Sequence, residues 1–164
     1  LAWQGNTAHK GDRFRSIPLS LFAPLAQVEG VQLVSLQKGY GSEQIEQNKE
    51  MNLLEWSDPT DTTAEALVDT AAVMKHLDLV ISVDTALAHL AGALAVPVWV
   101  AMPLAPDWRW LLDREDTPWY PTMRLFRQQK LADWPQAISR IADALQILSH
   151  STTTPTLKLE IAIN

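Results

Sequence analysis

The chain has 164 residues, of which 47% are hydrophobic and 20% are charged, a composition typical of one globular domain. It contains no cysteine, which excludes a disulfide framework and a cysteine-ligated metal site and favours the cytoplasm. The net charge of −6 argues against a nucleic-acid-binding surface. No apolar run approaches the roughly 18 residues that a membrane span requires.

Short apolar runs alternate with helical patterns along the chain. This alternation predicts an α/β fold, a Rossmann-like doubly wound parallel sheet with helices on both faces. In chain order, the predicted strands cover residues 1–4, 31–36, 51–56, 79–83, 97–102 and 123–126. The predicted helices begin at Pro18, Ser42, Leu67, Thr85 and Trp134 and end near residues 30, 50, 77, 95 and 148.

The two ends of the chain differ from the rest. The apolar start, Leu1 to Trp3, is typical of the end of a strand and indicates a piece of a longer protein. We predict one domain over residues 1–148, and a linker with an edge strand over residues 149–164. In this tail Leu157, Leu159, Ile161 and Ile163 alternate with less apolar residues. Such a stripe favours pairing with a sheet edge of this domain or of a second copy, which would form a homodimer; a frayed terminus is the alternative.

A candidate binding site follows from the predicted strand order 3-2-1-4-5. In such a sheet, ligands bind at the carboxyl ends of the strands where the order reverses, between the first and fourth strands. The residues that follow these two strands include Asn6, Lys10, Arg13 and Arg15 after the first, and Asp84, Thr85 and His89 after the fourth. The opening of the chain is also basic, since residues 1–41 hold four basic and two acidic residues. Together these features predict an anion site.

The fourth strand is followed by a helix start that suits a phosphate. Asp84 and Thr85 precede an apolar helix in an N-cap pattern, and a helix N-terminus presents free N–H groups and a positive dipole end. His89 lies one turn further on and can share that face. The alternative is that Asp84 only caps the helix and that His89 is a core histidine.

The basic loop and the end of the second strand complete the candidate site. Lys10, Arg13 and Arg15 are suited to clamping a diphosphate, although a solvated loop is the alternative. Gln37 and Lys38 are placed for a contact with a base or ribose. The sequence has neither a G-x-G-x-x-G motif nor a P-loop, so classical dinucleotide and nucleoside-triphosphate sites lose support. We predict no metal site, since the acidic run at 113–116 is typical of a solvated turn.

Several ordered motifs resemble the heptosyltransferase-like glycosyltransferases of family nine. The run LVISVDTALAHLAGAL at residues 79–94 is similar to the donor motif of that family. The motifs WQGN at 3–6, RFRSIP at 13–18, SLQKG at 35–39 and PDWRW at 106–110 strengthen the likeness, which covers about residues 1–145. It is strongest to the glycosyltransferase-like region that follows tetratricopeptide repeats in bacterial proteins.

The resemblance implies the carboxy-terminal, donor-binding half of a GT-B glycosyltransferase, in which two Rossmann-like halves face a cleft. The partner would be a nucleotide-diphosphate sugar, bound as substrate without a further cofactor. By resemblance, Asp84, Thr85 and His89 would meet the donor's phosphates and sugar, and Lys10 its diphosphate. The missing amino-terminal half would supply the catalytic base, so no catalytic residue is identified and the isolated chain is expected to be inactive.

One residue departs from the family pattern. Heptosyltransferases usually have glycine after Asp-Thr, and this chain has Ala86. A methyl group there narrows the approach of a donor to the backbone. The alternative function is therefore a non-catalytic Rossmann-like module for binding or scaffolding beside the repeats.

Overall fold

The structure, a computed structural model, describes residues 1–56 and 64–152. Its strands are β1 (Val80–Val83), β2 (Val98–Met102) and β3 (Met123–Arg127). Its α-helices are α1 (Asp12–Arg15), α2 (Ala64–Met74), α3 (Ala86–Ala93) and α4 (Trp134–Thr152). Four 3-10 helices cover Leu19–Gln27, Ser42–Gln44, Lys49–Met51 and Trp108–Trp110.

The sheet is parallel and has the predicted doubly wound order. β1 pairs with β2, and β2 with β3. On the other side of β1, three short segments continue the sheet. Ala2 forms a single bridge to Ser82 of β1, and the amide of Leu36 donates to the carbonyl of Leu1. Val34 forms a second single bridge, to Leu54. The order reverses between the segment at residues 1–3 and β1, as expected of a Rossmann-like sheet.

Helices cover both faces of the sheet, as predicted. One core lies between the sheet and the Leu19–Gln27 helix with α4, and it includes Trp3, Phe22 and Ile138. The other core lies on the side of α2 and α3 and includes Met74 and Ala91. The strands are therefore buried on both faces, and this explains why they are continuous apolar runs rather than alternating patterns.

Three predicted strands are reduced to single bridges. Residues 1–4 contribute the bridge from Ala2 to Ser82, and residues 31–36 and 51–56 share the bridge from Val34 to Leu54. Asn52 just before this bridge has a left-handed backbone with φ of 47°. An asparagine tolerates this conformation, but it breaks the extended backbone that a regular ladder requires.

Two predicted helices are 3-10 rather than α. The helix after Pro18 covers Leu19–Gln27 and contains Pro24, which has no N–H and so cannot make an α-helical hydrogen bond. The polar helix predicted after Ser42 consists of two single turns, Ser42–Gln44 and Lys49–Met51. The sequence pattern thus located the helical segments correctly, but it was wrong about the helix type and about the length of the second helix.

The last helix is longer than predicted. α4 runs to Thr152, four residues beyond 148. In this last part the hydroxyls of Ser149 and Ser151 donate to the carbonyls of Gln146 and Ile147. The predicted strand at residues 157–163 lies outside the described residues. Among residues 1–56 and 64–152, no helix is both long and apolar enough to cross a membrane.

Candidate functional site

A cavity of about 810 Å³ opens at the carboxyl edge of the sheet. Three segments meet there: residues 4–6 after the first extended segment, residues 37–40 after the second, and residues 85–87 at the start of α3. The inner face of α2 closes one side with Ala66, Leu67 and Thr70. This is the place where an open α/β sheet binds its ligands, because the strand order reverses here and leaves a crevice.

Gln37 holds two of these segments together. Its buried side-chain Oε1 accepts from the amides of Trp3 and Gln4, at 3.0 and 3.1 Å. Its Nε2 donates to the carbonyls of Gln4 and Tyr40, at 3.0 and 2.7 Å. Both acceptor and both donor positions of the amide are thus occupied. Gln37 shapes the wall of the cavity, and its predicted contact with a base or ribose stays a prediction.

Arg15 joins the first loop to the end of β1. Its Nη1 donates to the carbonyl of Asp84 at 2.8 Å, and its Nε lies 3.4 Å from Oδ1 of the buried Asp12. The hydroxyl of Ser16 donates to the same carboxylate and accepts from the amide of Gly5. Of the three basic residues of the loop, Arg15 is therefore the one that reaches the residue before the helix start, and it contacts protein groups there.

The start of α3 leaves polar groups available. Thr85 occupies the N-cap position with an extended backbone, yet its side chain makes no capping hydrogen bond. The Thr85 hydroxyl lies 3.4 Å from that of Ser82. The first-turn amides of α3 therefore lack the partner that an N-cap side chain usually provides. Thr85 and the exposed Ala86 both line the cavity.

The lining of the cavity includes charged and aromatic side chains. Lys38 and the exposed Glu43 both belong to its lining, and the Lys38 ammonium lies 4.7 Å from the centre of the Trp56 ring. Tyr40 is 57% exposed and adds an aromatic ring to the rim. Sequence reasoning missed Tyr40 and the α2 wall, because nothing local in either segment indicates which way it faces.

His89 lies outside the cavity lining. Its Nδ1 is 3.1 Å from the Tyr120 hydroxyl, and its ring stacks on that of Trp110 with a centroid separation of 5.1 Å. Trp110 is fully buried, whereas Trp108 and Trp119 are 71% and 54% exposed. In this structure the half-buried His89 thus links the long loop at residues 103–122 to α3, and its predicted contact with a donor stays a prediction.

The structure brings together four of the nine predicted site residues. Asn6, Gln37, Lys38 and Thr85 line the cavity, and Asp84 and Arg15 lie directly behind its helix start. Lys10 and Arg13 are exposed on the first loop, with the Arg13 guanidinium 4.5 Å from the centre of the Phe14 ring.

Within the described part of the chain, no group of three or more acidic or histidine side chains is arranged to hold a metal ion.

A parallel doubly wound sheet with a cavity at its switch point is the arrangement of a Rossmann-like α/β domain. Residues 22–101 match the model of glycosyltransferase family 9, the heptosyltransferase family. Residues 22–101 are therefore similar to glycosyltransferase family 9, and the resemblance to that family inferred from the motifs is confirmed over this range.

A longer bacterial protein is similar to most of this chain. The chain is 35% identical over 135 residues to Protein FlbA of Caulobacter vibrioides. The matched region is 82% of this chain and 22% of FlbA, so the chain spans about a fifth of that relative's length. No solved structure matches.

Proposed function

We propose that this domain is the donor-binding half of a GT-B glycosyltransferase and that a nucleotide-diphosphate sugar binds in the carboxyl-edge cavity. The observation that carries the proposal is the position of the cavity at the switch point of a region similar to family 9, against the uncapped start of α3. Its volume of about 810 Å³ lies in the range of small-molecule and cofactor sites.

Charge stabilisation is the proposed role of the polar groups. A departing nucleoside diphosphate is stabilised by donors that are already in place. The first-turn amides of α3 and the Thr85 hydroxyl supply such donors inside the cavity, with Asn6 and Lys38 on its other walls. In this proposal Lys10 and Arg13 add positive charge from the first loop, and Arg15 supports the helix start through Asp84.

The rest of the reaction belongs to other parts of the protein. We propose no metal and no cofactor besides the sugar nucleotide, and a catalytic base supplied by an amino-terminal half or repeat region. A cytoplasmic location fits the absence of cysteine. The domain alone is then expected to bind a donor without transferring its sugar.

Two observations favour a second candidate, a non-catalytic binding or scaffolding module. Ala86 places a methyl group in the cavity lining at the helix start. His89, which the family resemblance directs to the donor, contacts Trp110 and Tyr120 instead. Measured donor affinity separates the two candidates.

Thermal unfolding with millimolar UDP, GDP or ADP tests the proposal. A ligand that binds only the folded form raises the melting temperature by mass action. Ala86→Phe should abolish the rise because the ring obstructs the start of α3 inside the cavity. Ala93→Phe should keep the rise, since Ala93 is exposed on the same helix and lies outside the lining. The absence of a shift with all three nucleotides contradicts a donor site and leaves the scaffolding module.

A further inference from the structure

The long loop at residues 103–122 places two indole rings in solvent. Trp108 is 71% exposed and Trp119 is 54% exposed. The Nε1 of Trp119 donates to the carbonyl of Arg109 at 2.8 Å, so its ring lies beside the residue that follows Trp108. The two indoles therefore belong to one surface, which we call the tryptophan patch. Contiguous exposed apolar surface of this kind marks an interaction or ligand-binding site more often than single exposed residues do.

The loop holds the tryptophan patch in one conformation. The half-buried Arg127 of β3 donates to the carbonyls of Trp110 and Arg114, at 2.5 and 2.8 Å. Between these carbonyls, Leu111 has φ of 55° and ψ of −167°, a backbone conformation that is otherwise almost limited to glycine. Such strain persists only where the surroundings maintain it, and it is concentrated at binding and catalytic sites. The loop thus bears a conformational cost in the form that leaves the two indoles exposed.

The charged side chains around the patch are already paired within the protein. Three ion pairs, with N–O distances of 2.7, 2.6 and 3.0 Å, are Arg109–Asp107, Arg114–Asp116 and Arg124–Glu115. These arginines are neutralised and offer little to a phosphate group. The Arg109 guanidinium also lies 5.4 Å from the centre of the Trp108 ring, so a wholly apolar partner would take this ion pair out of water at a cost. The patch therefore suits a neutral ligand that has both an apolar face and polar groups.

The tryptophan patch and the candidate donor cavity adjoin the same helix. The loop begins after β2, at the carboxyl edge of the sheet where the cavity opens. It packs on α3 through the stack of Trp110 on His89, at 5.1 Å between ring centroids. His89 is three residues, or about 4.5 Å along the helix axis, beyond Ala86 in the cavity lining. A ligand on the patch would thus lie on the side of the domain where the donor is proposed to bind.

We propose that the tryptophan patch binds a neutral saccharide, as the acceptor of the glycosyl transfer, an inference that rests on the proposed function. A sugar ring has an apolar C–H face that can pack on an indole, and hydroxyl groups that both donate and accept hydrogen bonds. Trp108 and Trp119 supply the indoles, and the Asp107–Arg109 pair supplies an acceptor and donors beside the Trp108 ring. Because the loop is already held in place, binding loses little conformational entropy.

An NMR titration of the isotope-labelled chain with chitotriose and with maltotriose, without nucleotide, tests the patch. We expect the indole N–H signals of Trp108 and Trp119 to shift and saturate with at least one of these neutral sugars. The indole signal of Trp110, which is fully buried, should stay in place. Sorbitol is the matched control ligand, since it carries hydroxyl groups without a ring face, and it should cause no saturable shift.

Three variants identify the contact. Trp108→Ala should weaken sugar binding about tenfold, as the loss of an aromatic anchor does. Trp108→Phe keeps an aromatic face and should lose less. Ile147→Ala is the control, because Ile147 is 69% exposed near the end of α4, away from the loop, and its loss should leave sugar binding unchanged.

Three results would overturn the proposal: no saturable shift with either sugar, equal shifts with sorbitol, or sugar binding that Trp108→Ala leaves intact. Shifts of the two indole signals on raising the protein concentration alone would assign the patch to contact between copies of the chain, and would also overturn it. Nucleotide binding is measured separately by thermal unfolding. A chain that binds nucleotides and neither sugar therefore contradicts this inference and leaves the donor site standing, whereas the reverse result contradicts the donor site alone.

Discussion

The guanidinium of Arg15 donates to the backbone carbonyl of Asp84 at 2.8 Å and joins two segments that lie 69 residues apart in the sequence. Asp84 is the last residue before the N-cap of α3, so this hydrogen bond holds the first loop against the start of the helix. The carboxylate of Asp12 fixes the guanidinium from behind. The wall of the candidate site therefore depends on a charged network that no local pattern reveals.

Gly5→Ala should disrupt this network. A Cβ at position 5 would lie 2.5 Å from Oδ1 of Asp12 and 2.8 Å from Nη2 of Arg15. We expect a loss of about 1–3 kcal/mol in the free energy of unfolding, as for other overpacked sites. Gly11→Ala is the matched control, since its Cβ would meet only the exposed His9 ring at 3.2 Å. Urea unfolding of both variants checks this, and equal stabilities would contradict it.

Gln37→Leu should be more damaging. The leucine fills most of the same space but leaves two amides and two carbonyls without partners, and each buried unpaired group costs about 1–3 kcal/mol. We expect a loss of about 3 kcal/mol or more. Gln47→Leu, at an exposed position, should change stability by less than about 0.5 kcal/mol. If Gln37→Leu unfolds at the wild-type urea concentration, Gln37 does not organise the cavity wall.

His89→Ala should lower stability and leave nucleotide binding intact. The substitution removes the stack on Trp110 and the contact with the Tyr120 hydroxyl, at a cost of about 1–3 kcal/mol. His76→Ala, at an exposed position in the turn after α2, serves as the control. Calorimetric titration of the folded variant with a nucleoside diphosphate completes the experiment. Unchanged stability combined with lost binding would instead identify His89 as a donor ligand.

A chain that begins at Leu1 with a free amine should become more stable as the pH rises, and the same chain acetylated at Leu1 serves as its control. Burial lowers the pKa of the Leu1 amine from 8.0 to about 5 in the folded state, so between these values the unfolded state binds more protons. Stability then increases from pH 5 to pH 8 and levels off above it, by roughly 4 kcal/mol at most for a shift of this size. The acetylated chain should lack this contribution. Denaturant unfolding of both chains at pH 5, 6, 7 and 8 makes the comparison, and parallel curves would contradict it.

Much of the fold could be predicted because its signals are local. The apolar stripe of α4, with Ala137, Ile138, Ile141 and Leu145 buried, follows directly from helical spacing. The apolar runs of β1 and β2 identify strands that are buried on both faces. The alternation of strands and helices indicated a doubly wound sheet, and the strand order of that class indicated the edge where the cavity lies.

The tertiary structure decided which polar residues face that cavity and which form hydrogen bonds to other parts of the protein. Gln37 and Arg15 were predicted as ligand contacts, and both are committed to backbone groups brought close by the fold. His89 meets Tyr120 from 31 residues away, a contact that helical spacing from Thr85 does not foresee. The physical reason is that periodicity determines whether a residue lies on a buried face, whereas the partner of a polar side chain depends on which distant backbone atoms the packed elements bring within hydrogen-bonding distance.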